Sequence, residues 1–279
     1  MKAIVTGAYG LVGSHLCKAL ESKGIKVLKV KFNDLDGLPM VDYIVHAAGY
    51  GQPLKFLEDE ISTIGINTET TRELFNYLKS NGKYLFISTS ELYSGAKSPH
   101  TESDIGTTNP QHLRACYIEG KRCGEAIVMA YRRQGYDAKI ARLALAYGEG
   151  TKPHDTRVIN QFIEQALTTD VIHLKDKGEA IRTYCYIDDV VGMLLDILFK
   201  GTRPVYNVGG FSTVTVKELA EKIAEITKSS VVLGDEGLKG APEDVKLNML
   251  ITLAEFPREF TTLEEGLRKT IDYQKTLYA

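Results

Sequence analysis

The sequence predicts an α/β fold in which helices cover both faces of a doubly wound parallel sheet. Three observations support this prediction. Short apolar runs alternate with longer segments of helical periodicity through the first half of the 279 residues. A glycine-rich turn joins the first apolar run to the first helical segment. After about residue 148 the pattern becomes less regular, which predicts a smaller C-terminal lobe.

In the first half, β-branched and aromatic residues mark five predicted strands at 2–6, 26–30, 42–48, 84–89 and 138–145. Apolar residues at intervals of three and four mark helices at Leu11–Ser22, 63–80 and 117–134. Strands that alternate with helices in this way pair in parallel, because each helix carries the chain back along the sheet.

The second half contains shorter elements. An amphipathic helix lies in "DTRVINQFIEQAL", with Asp155 or Thr156 as its N-cap. Strands are predicted in "DVIHL", "IRTYCYI" and "PVYNVGG", and helices at 188–199 and 214–227. We therefore expect a dinucleotide-binding domain over 1–150 and a substrate-binding lobe over 151–279, interleaved with the last elements of the first domain.

Composition excludes several classes of partner. The chain carries 34 Lys and Arg against 36 Asp and Glu and has no basic run, so nucleic acid and anionic membrane are not expected partners. No Cys-x-x-Cys pair occurs, which predicts free, buried thiols and no bound metal. No leader and no apolar run of about 18 residues is present, which predicts a soluble cytoplasmic protein.

The turn "VTGAYGLVGSHL" has the pattern of a phosphate-binding site. Gly7 permits a tight turn, Gly10 lets backbone approach a pyrophosphate, and Gly13 allows helix and strand to pack closely. The following helix N-terminus offers N–H groups and a positive dipole to phosphates. An ordinary glycine-rich turn is the alternative, but the strand–turn–helix context favours a dinucleotide.

Further motifs follow in order. They are "HAAG" (46–49), Asn67 in "INTET", "STSELYSG" (88–95), Tyr117-x-x-x-Lys121, "RTYCYIDDV" (182–190) and "TTLEEGLRKTIDYQ" (261–274). With them the chain resembles the extended branch of the short-chain dehydrogenase/reductase superfamily, whose glycine motif is T-G-x-x-G-x-x-G. The resemblance implies a Rossmann-type fold that binds NAD or NADP. The implied cofactor contacts are Gly7, Tyr9, Gly10, Leu11, Val12, Gly13, Lys31, Ala47, Ala48, Asn67, Tyr117 and Lys121.

One position departs from the family pattern. NAD-preferring members carry an Asp at the end of the second strand, where this chain has Lys31 followed by Phe32 and Asn33. A cation there suits the 2′-phosphate of NADP, and a solvated lysine is the alternative of equal weight. The loop that follows is too short for the helix and strand that extended members place there.

The resemblance implies roles for the hydroxyl groups and the amine of these motifs. Tyr117 would take a substrate hydroxyl proton, Lys121 would bind the nicotinamide ribose, and Ser90, with Thr89 as the alternative, would hold the substrate oxygen. A free tyrosine has a pKa near ~10, so we expect the Lys121 ammonium and the cationic nicotinamide to lower the pKa of Tyr117.

"STSELY" also resembles UDP-glucuronate decarboxylases and GDP-mannose 4,6-dehydratases, in which the glutamate is an acid/base near C5. The resemblance implies that role for Glu91 here, and a surface glutamate is the alternative. "NPQHLRACYIEGKRCGE" and "DTRVINQFIEQAL" resemble the decarboxylases, which adds Arg157 and Asn160 as substrate contacts. Arg182 would bind the diphosphate or the sugar carboxylate, or else form a salt bridge with Glu179 or Asp188.

These motifs predict an enzyme that oxidises a nucleotide sugar at C4 with bound NAD or NADP, most closely a UDP-glucuronate decarboxylase. Leu145 replaces the asparagine that usually contacts substrate, so other outcomes stay open. They are 4-epimerisation, 4,6-dehydration, NADP-dependent keto-sugar reduction, and a cofactor-binding regulator with a degenerate site. The family also predicts a homodimer that pairs the helices at 63–80 and 117–134.

Overall fold

The computed structural model describes residues 1–31, 34–235 and 244–278, without the side chains at 53–54 and 244–245. In chain order the first half contains β1 (Lys2–Thr6), α1 (Leu11–Ser22), β2 (Lys26–Val30), β3 (Val41–His46), α2 (Pro53–Glu58), α3 (Glu60–Leu74), β4 (Leu78–Thr89) and α4 (Ala115–Arg133). The second half contains β5 (Asp137–Leu143), β6 (Leu145–Tyr147), α5 (Val158–Thr168), β7 (Val171–His173), β8 (Ile181–Tyr186), α6 (Ile187–Lys200), β9 (Val205–Val208), β10 (Ser212–Thr215), α7 (Val216–Thr227), β11 (Ser230–Val232), β12 (Asp244–Val245), α8 (Leu250–Glu255) and α9 (Leu263–Tyr278).

The main sheet is parallel and has the strand order β2-β1-β3-β4-β5-β9. The chain builds outward from β1 to β2 and then reverses to β3, so the switch point lies between β1 and β3. Open sheets of this kind bind ligands at the carboxyl ends of the strands beside the switch point. The predicted parallel α/β fold is confirmed, and the carboxyl ends of β1, β3 and β4 lie side by side.

Both faces of the main sheet are covered, because successive residues of a strand point to opposite sides. Val5 of β1 belongs to the apolar cluster that includes Leu16 of α1 and Leu194 of α6. Ile4, the residue before it, belongs to the cluster on the other face with Val128 of α4. The near-continuous apolar strands follow from this burial on both sides.

A second sheet lies in the C-terminal half. Its order is β10-β8-β12, and β6 pairs with β8 in parallel. A two-stranded sheet joins β7 to β11. Because β9 pairs with β5, the second half of the chain contributes a strand to the main sheet. The division of domains at residue 150 remains a prediction.

The predicted strand 138–145 is wrong as a single element. β5 ends at Leu143, the N–H of Ala144 donates to the carbonyl of Val208 at 2.9 Å, and the chain then leaves the main sheet. Leu145 begins β6 and lies opposite Tyr184 of the second sheet. Both strands are apolar, so residue pattern does not reveal that they belong to different sheets.

The predicted bounds of two helices are also wrong. α3 begins at Glu60, because the Asp59 side chain accepts from the N–H of Ser62, and it ends at Leu74, ahead of β4. α5 begins after Arg157, which has no side-chain cap. The carboxylate of Asp155 instead accepts from the backbone N–H of Arg157, which explains why its position resembled a cap.

The four cysteines are free. Cys17, Cys116 and Cys185 are buried as predicted, but Cys123 is exposed on the outer face of α4. Among the described residues, no group of three or more His, Cys, Asp or Glu is placed to hold a metal ion. No helix in that part of the chain has the length and apolar character needed to cross a membrane.

Candidate active site

The glycine turn after β1 requires glycine on steric grounds. Gly7 has φ +65°, and a Cβ there would lie 2.4 Å from the carbonyl oxygen of Ala47. A Cβ on Gly13 would lie 2.1 Å from the carbonyl oxygen of Gly7. Gly10 is exposed and precedes α1 without a side-chain cap, so the first N–H groups of α1 face the turn. This is the cradle that a pyrophosphate needs.

A buried hydrogen-bond chain fixes the segment after β3. His46 Nε2 lies 3.0 Å from the Ile66 carbonyl, which only accepts, so Nε2 carries the proton. Nδ1 then accepts from the Thr6 hydroxyl at 2.6 Å, and that hydroxyl oxygen accepts from the N–H of Ala48 at 3.1 Å. Burial, aided by the charge of Lys121, lowers the pKa of His46 to about 3 and keeps it neutral.

Asn67 of α3 presents an unsatisfied acceptor beside this segment. Its Nδ2 donates to the Thr63 carbonyl at 2.7 Å, whereas its Oδ1 is buried and has no hydrogen-bond partner among the described residues. Gly49, at φ +146°, lies between Asn67 and Lys121, and a Cβ there would be 3.7 Å from Oδ1 and 3.4 Å from Nζ. A buried acceptor without a donor fits a bound polar ligand.

Lys121 is buried in α4. Its Nζ donates to the carbonyl of Ile87 at 2.7 Å and lies 4.7 Å from the centre of the Phe86 ring. Burial lowers the pKa of Lys121 to about 7, and the Glu125 carboxylate one turn along opposes this shift. The amine is thus a donor whose charge changes near neutral pH.

Glu125 also anchors α4 to the sheet. It accepts from the Ser88 hydroxyl at 2.6 Å and forms a two-armed ion pair with the Arg142 guanidinium, at 2.9 and 2.8 Å. Arg142 donates in addition to the Tyr93 hydroxyl. These contacts join α4 to β4 and β5 directly below Lys121.

Tyr117 lies one turn before Lys121 and is buried. Its ring stacks on Phe56 of α2, with centroids 4.8 Å apart and planes at 3°. Burial raises the pKa of Tyr117 and the charge of Glu91 raises it further, against a hydrogen bond with Thr89 and the charge of Arg114. Lys121, whose Nζ donates to a backbone carbonyl, does not contribute to this shift, and the lowering expected from Lys121 with a cationic nicotinamide stays a prediction.

The carboxyl end of β4 supplies the hydroxyl groups. Thr89 Oγ1 hydrogen-bonds with Tyr117 and accepts from the N–H of Glu91 at 3.2 Å. Ser90 is buried at the start of a 3-10 turn over Ser90–Tyr93. The contact with Tyr117 thus comes from Thr89, the alternative of the two predicted hydroxyls.

The Glu91 carboxylate pairs with one arginine and is affected by the charge of a second. Its Oε1 accepts from Arg114 Nη2 at 2.7 Å, and Arg182 of β8 is close enough for its charge to act on the same carboxylate. Burial raises the pKa of Glu91, and both arginines oppose that shift. Glu91 Oε2 and Arg114 Nε are buried without partners among the described residues. Arg114, which the sequence reasoning did not select, stands in the quoted stretch "RACY".

The other predicted substrate contacts form a network of their own. The Arg157 guanidinium forms a bidentate ion pair with the Asp155 carboxylate, from Nε to Oδ1 at 2.9 Å and from Nη2 to Oδ2 at 2.8 Å. Asn160 donates to Asp155 at 3.2 Å and accepts from Gln274 at 3.0 Å. Gln52, shortly after "HAAG", donates to Asp155 at 2.7 Å. Arg157 and Asn160 are therefore held by protein groups.

The remaining predicted cofactor contacts lie around the glycine turn. Tyr9 is 58% exposed within it, Leu11 and Val12 open α1, and the carbonyl of Ala47 meets Gly7. Lys31 is exposed directly after β2, the edge strand beside β1. Phe32 and Asn33 lie outside the described residues, and 34–40 contain no helix or strand, as the short loop predicted.

Residues 3–209 match the NAD dependent epimerase/dehydratase family. The chain belongs to this family. Its membership confirms the predicted resemblance and the predicted class, an enzyme with a nicotinamide dinucleotide cofactor.

Relatives within the epimerase/dehydratase family are UDP-glucuronic acid decarboxylases. The Arabidopsis thaliana UDP-glucuronic acid decarboxylase 6 is 30% identical over 272 residues, which cover 88% of this chain and 79% of that protein. The Danio rerio UDP-glucuronic acid decarboxylase 1 is 29% identical over 306 residues, covering 98% and 72%.

Solved structures share the fold. A UDP-glucose 4-epimerase from Thermotoga maritima, with UDP-glucose, has a TM-score of 0.87 at 23% identity, covering all of both chains. A UDP-glucuronic acid 4-epimerase from Bacillus cereus, in complex with UDP-glucuronic acid and NAD, has a TM-score of 0.84 at 21% identity, also covering both chains entirely. At these identities the likeness establishes the Rossmann-type fold.

Proposed function

We propose that this protein modifies a nucleotide sugar by oxidising its C4 hydroxyl, with a UDP-glucuronate decarboxylase-like reaction. The main support is the group at the carboxyl end of β4, where Thr89 contacts Tyr117 and Glu91 lies beside both, between Arg114 and Arg182. The names of its relatives agree with this substrate class.

The residues present fit a nicotinamide dinucleotide. Gly7 and Gly13 leave no room for a Cβ against neighbouring backbone, so the chain can turn tightly into the uncapped N-terminus of α1. Asn67 Oδ1 is a buried acceptor without a donor in the described chain. An oxidised cofactor would supply a hydride acceptor and a positive charge when bound. Lys121 and Asn67 would hold its nicotinamide half. NAD is the family's cofactor, and Lys31 supports the NADP alternative.

In the first step Tyr117 takes the proton of the C4 hydroxyl while Thr89 holds the same oxygen by a hydrogen bond, and C4 gives up a hydride, so that a C4 ketone forms. Because burial raises the pKa of Tyr117, added positive charge is needed to stabilise its phenolate. Ser90 stands next to Thr89 and is the second candidate for this hydrogen bond.

The C4 ketone then makes C5 the reacting centre. When C5 carries a carboxylate, the C5–C6 bond breaks, carbon dioxide leaves, and the electron pair enters a C4–C5 enolate. Glu91 then donates a proton to C5, a role that suits a carboxyl whose pKa is raised by burial. C4 finally regains its hydride and Tyr117 gives its proton back to the C4 oxygen, which restores the hydroxyl of the UDP-pentose. The Arg182 guanidinium would bind the sugar carboxylate or the diphosphate. Arg157 and Asn160, which both bond to Asp155, would line the part of the site that holds the sugar.

A second candidate is 4-epimerisation or 4,6-dehydration of a sugar without that carboxylate. The observation in its favour is Leu145, which stands in β6 where decarboxylases have an asparagine. The same C4 ketone serves all three reactions. A keto-sugar reductase that uses NADP would share Tyr117 and Lys121, and Lys31 favours it.

The purified protein incubated with NAD and UDP-glucuronate should release carbon dioxide and form a UDP-pentose. Mass spectrometry of the reaction mixture measures the UDP-pentose. Tyr117→Phe should lower the rate by roughly 10³-fold or more, because the proton acceptor is lost. Tyr273→Phe, on the partly exposed side of α9, is the matched control and should keep full activity. A Tyr117→Phe protein as active as wild type would contradict every catalytic role given above.

The protein is also proposed to be a homodimer in which α3 and α4 of two copies form a four-helix bundle. The two helices pack along one another in the subunit. On α3, Ile61 is 80% and Ile64 41% exposed, one turn apart on one face. Apolar side chains at this spacing on an outer helix face suit a helix-pairing interface.

A further inference from the structure

We propose that Arg114 is a positioning residue that holds one carboxylate oxygen of Glu91 and thereby presents the other oxygen, Oε2, to the reacting sugar. This inference rests on the proposed function, because it assigns the geometry of the Glu91 proton transfer. It adds a residue that neither the motif roles nor the comparisons assign.

The ion pair is close and mostly buried. Arg114 Nη2 lies 2.7 Å from Glu91 Oε1, and the two side chains are 16% and 22% exposed. A pair with this burial is screened little by solvent, so it fixes geometry more firmly than a surface pair does. The carboxylate of Glu91 therefore has one oxygen committed and one available.

The available oxygen is buried. Glu91 Oε2 has no hydrogen-bond partner in the part of the chain that the structure describes, and neither has Arg114 Nε. A buried carboxylate oxygen without a donor carries an energetic penalty unless a ligand satisfies it. Both unsatisfied atoms belong to the same pair, so a ligand with a donor and an acceptor would satisfy both.

Arg114 also contacts Phe56, the ring on which Tyr117 stacks. Its guanidinium lies 5.3 Å from the centre of the Phe56 ring, and Phe56 stacks on Tyr117 at 4.8 Å. Arg114 is the N-cap residue of α4, and its carbonyl accepts from the N–H of Tyr117 at 3.2 Å. Because Tyr117 follows Arg114 by three positions at a helix start, the two residues share one face. One side chain thus orients the carboxylate and supports the ring against which Tyr117 rests.

The charged and titratable groups facing Glu91 are Arg114 from α4, Arg182 from β8 and Tyr117. Removal of Arg114 leaves Arg182 as the cation near the carboxylate, and burial then favours the protonated form more strongly. The pH at which Glu91 titrates should rise. Arg114→Lys keeps a positive charge, so it should bring the titration of Glu91 most of the way back toward that of wild type.

The titration is read directly on the protein. Glutamate labelled with ¹³C at its carboxyl carbon is followed by NMR against pH, and the Glu91 signal is assigned by its loss in Glu91→Gln. We expect Arg114→Met to raise the Glu91 midpoint by roughly one pH unit or more, with Arg114→Lys between it and wild type. The matched control is Arg122→Met, which removes a cation of the same helix that pairs with Glu119. Its Glu91 midpoint should equal that of wild type.

The proposal is overturned if the Arg114→Met midpoint equals that of wild type, or if Arg114→Lys shows no recovery. Thermal unfolding identifies a misfolded Arg114→Met protein, and Arg114→Gln then replaces it. With UDP-glucuronate, Arg114→Met should lower kcat more than it raises KM, and the Glu91 limb of the pH–rate profile should move to higher pH. Absence of wild-type turnover with this sugar would contradict the proposed function alone, since the NMR titration needs no substrate.

Discussion

At the scale of single residues, the site depends on polar groups that are buried and in contact with backbone. His46 and Lys121 show this clearly. His46 acts through Thr6 and Ala48 on the segment that faces the glycine turn, and Lys121 binds the carbonyl of Ile87. Neither contact is visible in a motif, because a motif gives the residue type and leaves open which atom it touches.

The buried amine of Lys121 should make stability depend on pH. Its pKa in the folded chain is about 7, below the 10.5 of an ordinary lysine, so between these values the unfolded chain binds more protons. The contribution of Lys121 to the free energy of unfolding is therefore lowest below pH 7 and increases as the pH rises toward 10.5.

Lys121→Met lacks this pH-dependent contribution. The free energy of unfolding of wild type minus that of the variant should therefore increase by about 1 kcal/mol per pH unit above pH 7. Urea unfolding at pH 7, 8 and 9 measures the difference. The loss of the bond to Ile87 lowers the stability of the variant equally at each pH. A constant difference between the two proteins would contradict the lowered pKa.

At the scale of elements, the approach of α4 to α3 and the sheet decides where Tyr117 and Lys121 point. The approach is close at Gly124, where a Cβ would lie 2.5 Å from the Asn67 carbonyl oxygen and 2.7 Å from Phe86 Cζ. One turn earlier, at Gly120, the nearest atoms to a Cβ would be at an ordinary 3.5 Å.

Gly124→Ala should therefore destabilise the protein by about 1–3 kcal/mol, because backbone and a packed ring must move. It should also displace Lys121 and lower activity. Gly120→Ala is the matched control on the same face, and its better helix propensity should leave stability unchanged or raise it by up to about 1 kcal/mol. Denaturant unfolding of both variants measures this. Equal stabilities would show that the helix adjusts without cost.

Element identity was well predicted, and element ends were not. Leu11–Ser22 was predicted with its observed bounds, because a glycine turn precedes it and the apolar period stops at its end. The split of 138–145 at Ala144 was missed, since the β5 and β6 strands are both apolar and differ only in partner. The additional short elements α2, β10, β11, β12 and α8 are stabilised by tertiary pairing, for which short segments carry little periodic signal.

At the scale of the whole molecule, contacts between distant segments close the site. The charge of Arg182 in the second sheet acts on Glu91 after the end of β4, and Gln52 donates to Asp155 at 2.7 Å across 103 positions of sequence. Asn207 of β9 likewise accepts from the Tyr93 hydroxyl and donates to the carbonyl of His100. The second half of the chain is thereby held over the carboxyl ends of the main strands.

The proposed homodimer makes a prediction at this scale. Ile64→Glu would place a charge in the paired face of α3, and burial of an unpaired charge in an interface is strongly unfavourable. Size-exclusion chromatography with light scattering should give twice the chain mass for wild type and the single mass for the variant. Ile105→Glu, an exposed apolar residue in a loop, is the control and should remain dimeric. A monomeric wild type would contradict the pairing.

The sequence by itself determined the parallel α/β fold, the glycine turn, the Tyr117–Lys121 spacing and the family, because these depend on local periodicity and on residue types at fixed offsets. The tertiary structure alone decided that Thr89 contacts Tyr117, that Lys121 binds a carbonyl, and that Arg114 and Arg182 flank Glu91. The physical reason is that burial and charge at an atom are set by every segment packed around it. Those segments are far apart in sequence and meet only in the folded chain.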